Sequence, residues 1–327
     1  MFQNYEYFLA LAETRNISRA AEQLYVSHQC LSRYLKTLEQ ECGLTLFNRK
    51  PALSLTYAGE VMLKAFREVQ RIENSTSLAL AELKDGSLGT VRLGITEGRL
   101  RIFLPDLLKQ FGILYPSVTL QAVGAPTAEM IRSLLDNKLD LVLGGSTDQA
   151  CPGLKYDTIL QENMYLIVSD QLLRQYFPDR FPACRQDFAA GADLREFQSM
   201  PFSIAAQGYH SRTMVEDLLQ ASNLSLNIIY EARQPDLLHM LTARNYAASF
   251  CLTMYLPNIQ ALNRSAPADN QLNVFPIRGL TAKNPVFLIS QEGRYMPDYT
   301  KALIRLIRQQ CQDCCAAGEE LLQTAAP

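Results

Sequence analysis

VSHQCLSRYLKTLEQECG, Val26 to Gly43, carries leucines at 31, 35 and 38, the spacing of one face of an amphipathic helix. The positions turned away from that stripe include Gln29, Ser32, Arg33 and Lys36. A plain solvated helix face is usually filled with Glu and Lys. Gln, Ser and Arg can also hydrogen-bond to particular edges of a partner. Ser27 is a candidate N-cap for this helix. Upstream, residues 2–14 read as a helix, Asn16-Ile17-Ser18 interrupts it, and Ser18 is a candidate N-cap for a short helix over 19–24. Two helices joined by Tyr25-Val26 make a helix-turn-helix pattern, with small Ala21 at the crossing and Leu31 buried.

Downstream, short alternating runs at 44–47 and 53–55 flank the polar tip Asn48-Arg49-Lys50-Pro51 and read as a hairpin. Thr56 can cap the next helix, which runs to about residue 85 before Gly86. Within it Val61, Ala65, Val69, Ile72, Thr76, Ala79 and Leu83 recur every three or four residues. Such a helix is roughly 40 Å long. A narrow seam of this kind packs on a partner helix rather than on a broad core; intrachain packing is the alternative.

From Thr90 the pattern changes. Strands are expected at 91–95, 119–123, 140–143, 165–168, 202–205, 227–230, 248–252, 274–277 and 286–290, with helices at 100–114, 128–137, 213–221, 236–244 and the C-terminus. Alternation of this kind predicts parallel sheets with crossover helices. The Pro-, Gly- and charge-rich stretch 177–200 reads as an irregular surface excursion.

At 327 residues two or three domains are expected. A net charge of −2 argues neither for nor against nucleic acid, since a basic face can sit in a neutral chain. No apolar run follows a basic start and none is long enough to span a bilayer, so neither export nor a membrane is expected. The eight cysteines form no disulfide framework for a chain this size, which points to the reducing cytoplasm. Cys311, Cys314 and Cys315 share one face of the terminal helix but have no His nearby, and read as small tail residues rather than a metal or redox site. The three histidines, His28, His210 and His239, lie in no nucleophile elbow, zinc helix or phosphate loop, so neither catalytic residues nor a cofactor are expected. A plain ligand-binding protein would explain the chain after Thr90 but not its first third.

SRAAEQLYVSHQCLSRYLKTLEQECGLTLFNRKPALSLTYAGE, residues 18–60, resembles the winged helix-turn-helix of LysR-type transcriptional regulators. The likeness is close to the end of the long helix, and continues as pattern in GTVRLGIT, NKLDLVLGG and ASFCLTMYLP. The family's Ser-Gln-Pro-Ala start of the recognition helix stands here as Ser27-His28-Gln29-Cys30, so a different pair of side chains faces the bases. The implied fold is α plus α/β: a winged helix-turn-helix at 1–58, a linker and dimerisation helix at 59–89, and an effector-binding domain at 90–327. The last is built like a periplasmic binding protein from two α/β subdomains, about 90–161 with 265–300 and about 162–264, and a terminal helix to 323.

A recognition helix presents its N-terminal outward residues to the major groove. Arg33 can donate two bonds to guanine, and Gln29 can bridge adenine. Ser32 and Lys36 share their face, Ser27 and His28 lie at the helix start, and Ser18 and Arg19 open the preceding helix. Arg49 and Lys50 on the wing meet backbone or minor groove. The implied partners are double-stranded DNA with a dyad-symmetric promoter site, a small effector, a second copy in a homodimer or homotetramer, and RNA polymerase. Ligands of open α/β sheets sit beyond the carboxyl ends of strands. That predicts a crevice holding Thr96, Glu97, Gly98, Arg99 and Thr127 from one subdomain, and Ala205, Gln207 and Ser249 from the other. Thr96 and Thr127 suit a carboxylate, Glu97 an amine, and Ser or Thr at such places also simply cap helices.

Overall fold

The structure is a computed structural model and describes residues 3–50, 52–85, 89–145 and 150–325, without the side chains of 78, 81–85, 317 and 319–325. It divides into two compact units, Met1–Lys84 and Asp85–Pro327.

The first unit contains α1 (Tyr5–Thr14), α2 (Ile17–Gln23), α3 (His28–Cys42), β1 (Phe47–Asn48), β2 (Ser54–Leu55) and α4 (Tyr57–Asp85). The leucine stripe of α3 closes on Phe8, Leu11, Ala20 and Ala21, with Leu46, Phe47 and Phe66 completing the core. Ser27 caps α3, its hydroxyl accepting from the Cys30 N–H at 3.1 Å. Ser18 does not cap α2. Asn16 does, its Oδ1 accepting from the N–H groups of Ser18 (3.0 Å) and Arg19 (3.2 Å), so the helix starts two residues earlier than expected. Asn is at least as good a cap as Ser, and starting the helix at Ile17 lets that side chain pack on the core. β1 and β2 pair antiparallel, Phe47 with Leu55, and make the wing.

In the second unit the chain builds β3 (Gly89–Ile95), α5 (Glu97–Leu114), β4 (Val118–Gly124), α6 (Thr127–Leu135), β5 (Leu141–Gly144) and β6 (Leu154–Glu162). It continues through β7 (Met164–Ser169), α7 (Asp170–Tyr176), α8 (Cys184–Ala189), β8 (Pro201–Ala205), α9 (His210–Ala221), β9 (Asn227–Ala232), α10 (Pro235–Ala243) and β10 (Ser249–Leu252). It ends with α11 (Leu256–Ser265), β11 (Leu272–Pro276), β12 (Asn284–Gln291) and α12 (Asp298–Ala325). One sheet has the order β4-β3-β5-β12-β6, a second β10-β7-β11, and β8-β9 lie beside β10 through a bridge from Phe202 to Ala248.

Three expectations are corrected here. The sheets are mixed, not parallel: β3 is parallel to β4 and β5, but β12 runs antiparallel to β5 and β6, and β7 antiparallel to β10 and β11. The chain leaves the first sheet along β6 and returns along β12, and these two strands pair from Leu154–Gln291 to Glu162–Asn284. The return therefore falls between Pro276 and Asn284, not near residue 265, because β11 still belongs to β7's sheet. The stretch 177–200 is not a loose surface excursion. Phe177, Phe188 and Phe197 pack with ring centroids 4.7–5.2 Å apart, and Phe188 sits 5.6 Å from Phe275 of β11. Burial of these rings closes the second sheet's face.

Candidate functional site

On α3, His28, Gln29, Arg33 and Lys36 are exposed, Ser27 is exposed at its cap, and Ser32 is half-buried. Ser18 and Arg19 are exposed at the start of α2. Arg33 and Lys36 have no ion-pair partner among the described residues. A cation left free on a solvent face keeps its full charge for a polyanion. On the wing Arg49 and Lys50 are exposed, and Arg49 reaches Glu39 Oε2 at 3.2 Å. Glu39 also accepts from the Leu46 (2.8 Å) and Phe47 (3.2 Å) N–H groups. This carboxylate ties the wing to the end of α3. Sequence reading missed it, because its partners lie seven to ten residues on and follow no helical period.

The α4 seam divides. Val61, Ile72 and Thr76 are exposed, whereas Val69 packs with Phe66 against the α1–α3 core. Ala65 and Ala79 are half-buried, and the side chain of Leu83 lies outside the described residues.

In the second unit a cavity of about 310 Å³ is lined by the starts of four helices, α5, α6, α9 and α10. Thr96, Gly98, Arg99, Thr127 and Ala205 all line it. Glu97, Gln207 and Ser249 do not. Glu97 instead accepts from Gln234 Nε2 at 3.1 Å. Gln207 is exposed and donates to Glu216 at 3.0 Å. Ser249 is fully buried against Thr242, hydroxyl to hydroxyl at 2.7 Å. Ser249, at the start of β10, is held by Thr242, and the wall is supplied by Phe250, Cys251 and Leu252, which follow it on the strand.

Arg99 lines the cavity but its charge is already matched. Its guanidinium donates to Glu162 Oε2 at 2.6 Å and to Thr96 Oγ1 at 3.2 Å. Glu162, wholly buried, also accepts from Asn284 Nδ2 (2.8 Å) and the Met254 N–H (3.3 Å). The pair thus joins α5 to both strands that cross between the sheets. Arg212 is likewise matched, to Glu216 (2.6 Å) and Glu231 (2.7 Å). Thr127 Oγ1 accepts from the Gly145 N–H at 3.2 Å, which leaves its own O–H to donate.

Tyr209, His239 and Asn284 also line the cavity, with an apolar side from Met164, Leu238 and Phe250. Sequence reading passed over all of them. Asn284 opens β12, whose start reaches the cavity only because that strand runs against its neighbours. Burial pushes His239 down to about 4, so it is neutral. Its Nε2 lies 3.3 Å from the Phe250 carbonyl, which assigns the proton to Nε2 and leaves Nδ1 as an acceptor. That Nδ1, Arg99 Nε and the Tyr209 hydroxyl are buried without a hydrogen-bond partner among the described residues. Each such atom left unmet costs about 1–3 kcal/mol.

Among the described residues no group of three or more His, Cys, Asp or Glu is placed to hold a metal, and no helix is long and apolar enough to cross a membrane. Cys311 is buried, which pushes its thiol up to about 12, and burial raises Cys314 as well, so neither is a ready thiolate.

Residues 2–60 match the family model of the bacterial regulatory helix-turn-helix protein, lysR family, and residues 84–312 that of the LysR substrate binding domain. The chain is similar to the uncharacterized HTH-type transcriptional regulator YybE of Bacillus subtilis, 24% identical over 265 residues that cover 81% of this chain and 85% of the relative. Its fold is like that of a full-length OxyR variant from Pseudomonas aeruginosa, with a TM-score of 0.66, 18% identity and 94% of each chain covered. It is also like full-length CbnR in complex with its target DNA, with a TM-score of 0.55, 20% identity, and 95% of this chain and 99% of that one covered. Both family matches fall where the two units place them, one on the α1–α3 fold and its wing and one on the cavity-bearing sheets, and the chain belongs to the LysR family of transcriptional regulators, with an N-terminal DNA-binding helix-turn-helix and a C-terminal effector-binding domain.

Proposed function

We propose that this regulator reads a dyad-symmetric promoter site as a homo-oligomer in the cytoplasm, with no catalytic activity of its own, and that a small polar effector in the cavity of the second unit sets its output to RNA polymerase. The observation that carries the DNA half is the exposed face of α3, where Arg33 and Lys36 stand without a counter-charge among the described residues. Its solved neighbour CbnR, bound to target DNA, supports that reading. Arg33 reads a base edge, while Arg49, held by Glu39, meets the backbone. Arg33→Ala is therefore expected to cost about 1–3 kcal/mol of preference for the specific site over random DNA. Arg49→Ala weakens both alike and flattens the salt dependence of binding. Equal losses on specific and random DNA for Arg33→Ala, measured by fluorescence anisotropy, would remove Arg33 from base reading.

Support for the effector half comes from the three partnerless buried atoms around the cavity. They favour an occupant that carries both an acceptor, for Arg99 Nε–H, and a donor, for His239 Nδ1. Thr127 and the four helix starts favour an electron-rich group on the same occupant. Thr96 is a poor place to test this, since its hydroxyl serves buried Arg99. Thr127→Val and Ala205→Phe are cleaner: one removes a hydroxyl at similar volume, the other fills space. Both are expected to abolish the thermal shift produced by a metabolite that stabilises the wild-type regulator, with DNA affinity unchanged. Retention of the wild-type midpoint in both variants would place the effector elsewhere.

A further inference from the structure

Among the described residues, six that are not glycine hold a left-handed backbone: Asn4, Arg15, Tyr25, Asn137, Asn223 and Asn245. Four are asparagine, which tolerates that region because its short side chain bonds locally. In the effector-binding unit all such positions are Asn or Gly. The two that break this pattern, Arg15 (φ 49°) and Tyr25 (φ 55°), both lie in the DNA-binding unit, and both are exposed. Each ends one helix and leads into the next. Arg15 follows α1 and directly precedes Asn16, the cap of α2. Tyr25 sits in the turn between α2 and α3, two residues before the cap Ser27.

The turn at Tyr25 shows why the backbone must be left-handed there. The Val26 N–H donates to the Ala21 carbonyl at 3.0 Å and the Tyr25 N–H to that of Glu22 at 3.2 Å. These two bonds close a helix end whose penultimate position is normally Gly. A side chain with a Cβ crowds the neighbouring carbonyl oxygen at that position. Packing offers no compensation, because Tyr25 is 98% exposed. Nor does an ion pair hold Arg15 among the described residues. A strained residue with no internal partner points outward, to a ligand.

We infer that Arg15 and Tyr25 are DNA-backbone contacts, one charged and one neutral, that clamp phosphates on either side of α2. Both side chains belong to the types that bond phosphate oxygens. Both stand at the entries to α2 and α3, and in helix-turn-helix docking the first helix crosses the backbone while the second enters the groove at its start. They add positioning, not sequence reading, to the exposed residues of α3.

The full-length chain and a mixed-sequence DNA duplex test this, since backbone contacts act on any sequence. Arg15→Asn is expected to weaken binding about tenfold near 0.1 M salt and to lower the slope of log affinity against log salt by about 0.9 for each phosphate that is no longer neutralised. Arg15→Lys is expected to keep the slope. Tyr25→Phe retains the ring and the backbone strain but loses the hydroxyl; a roughly threefold weakening with unchanged slope is expected, as no charge is removed. Arg15→Asn and Tyr25→Asn also relieve the backbone, so both should melt a few degrees higher while binding DNA less well. Variants that melt higher yet bind with wild-type affinity and slope would show strain without a ligand and overturn the inference. Weaker binding in one residue's variants alone overturns it for the other.

Discussion

Glu162→Ala is expected to lower the stability of the effector-binding unit by about 3–5 kcal/mol, on the order of 10 °C in melting temperature. The carboxylate is wholly buried and Arg99 nearly so, and the pair is 2.6 Å apart. Removing one partner leaves a buried guanidinium with nothing to offset its lost hydration. It also strands the Asn284 amide and the Met254 N–H, which join the crossing strands through the same carboxylate. The double variant Arg99→Met with Glu162→Leu should recover most of the loss, because a buried pair replaced by apolar groups is often neutral in stability. Calorimetry on the three proteins separates the cases. A Glu162→Ala protein that melts within a degree of wild type would mean that the pair contributes nothing to holding the crossing strands. If the double variant is stable yet deaf to the effector, the pair is kept for the cavity rather than for the fold.

Val61→Lys with Ile72→Lys is expected to raise the dissociation constant of the proposed dimer by at least about a hundredfold, since an unpaired charge in a closed seam costs several kcal/mol and each 1.4 kcal/mol is a factor of ten. Both residues are exposed in the isolated chain, more than half so, and the substitutions therefore leave the winged core intact. Val69 is left alone because it packs on that core. DNA affinity should fall with the dimer, since two tethered readers gain roughly a hundredfold or more over one. Sedimentation at concentrations spanning the wild-type transition provides the measurement. A variant that still sediments as a dimer would move the interface off α4.

How legible the molecule was differed between its two units, and for one physical reason. In the first unit the contacts are local. Leu31, Leu35 and Leu38 share a face because a helix repeats every 3.6 residues, and Ser27 and Thr56 cap because a cap binds an N–H only three residues on. Such rules read directly from spacing. Even here Asn16 outcompeted Ser18, as two good caps two residues apart are decided by which start lets Ile17 pack.

The second unit was legible in its elements but not in how they meet. β6 escaped notice because it is an edge strand with Lys155, Asp157 and Gln161 on it, and edges carry polar residues that blur the alternation. Without β6 the antiparallel return of β12 could not be seen, nor could Glu162 and Asn284 at their paired ends. The aromatic cluster at Phe177, Phe188 and Phe197 follows no period, so Pro and Gly around it spoke louder than the rings. Sequence alone determined the helix-turn-helix, its outward face, the long helix after it and the threonines at two helix starts, all set by neighbours within a few turns of chain. Tertiary structure decided that Arg99 faces a carboxylate 63 residues away, that the Ser249 hydroxyl is taken up by Thr242 rather than by the cavity, and that Tyr209 and His239 stand at its wall. Those choices depend on strand direction and register, which are properties of a pair of strands and are written in neither one by itself.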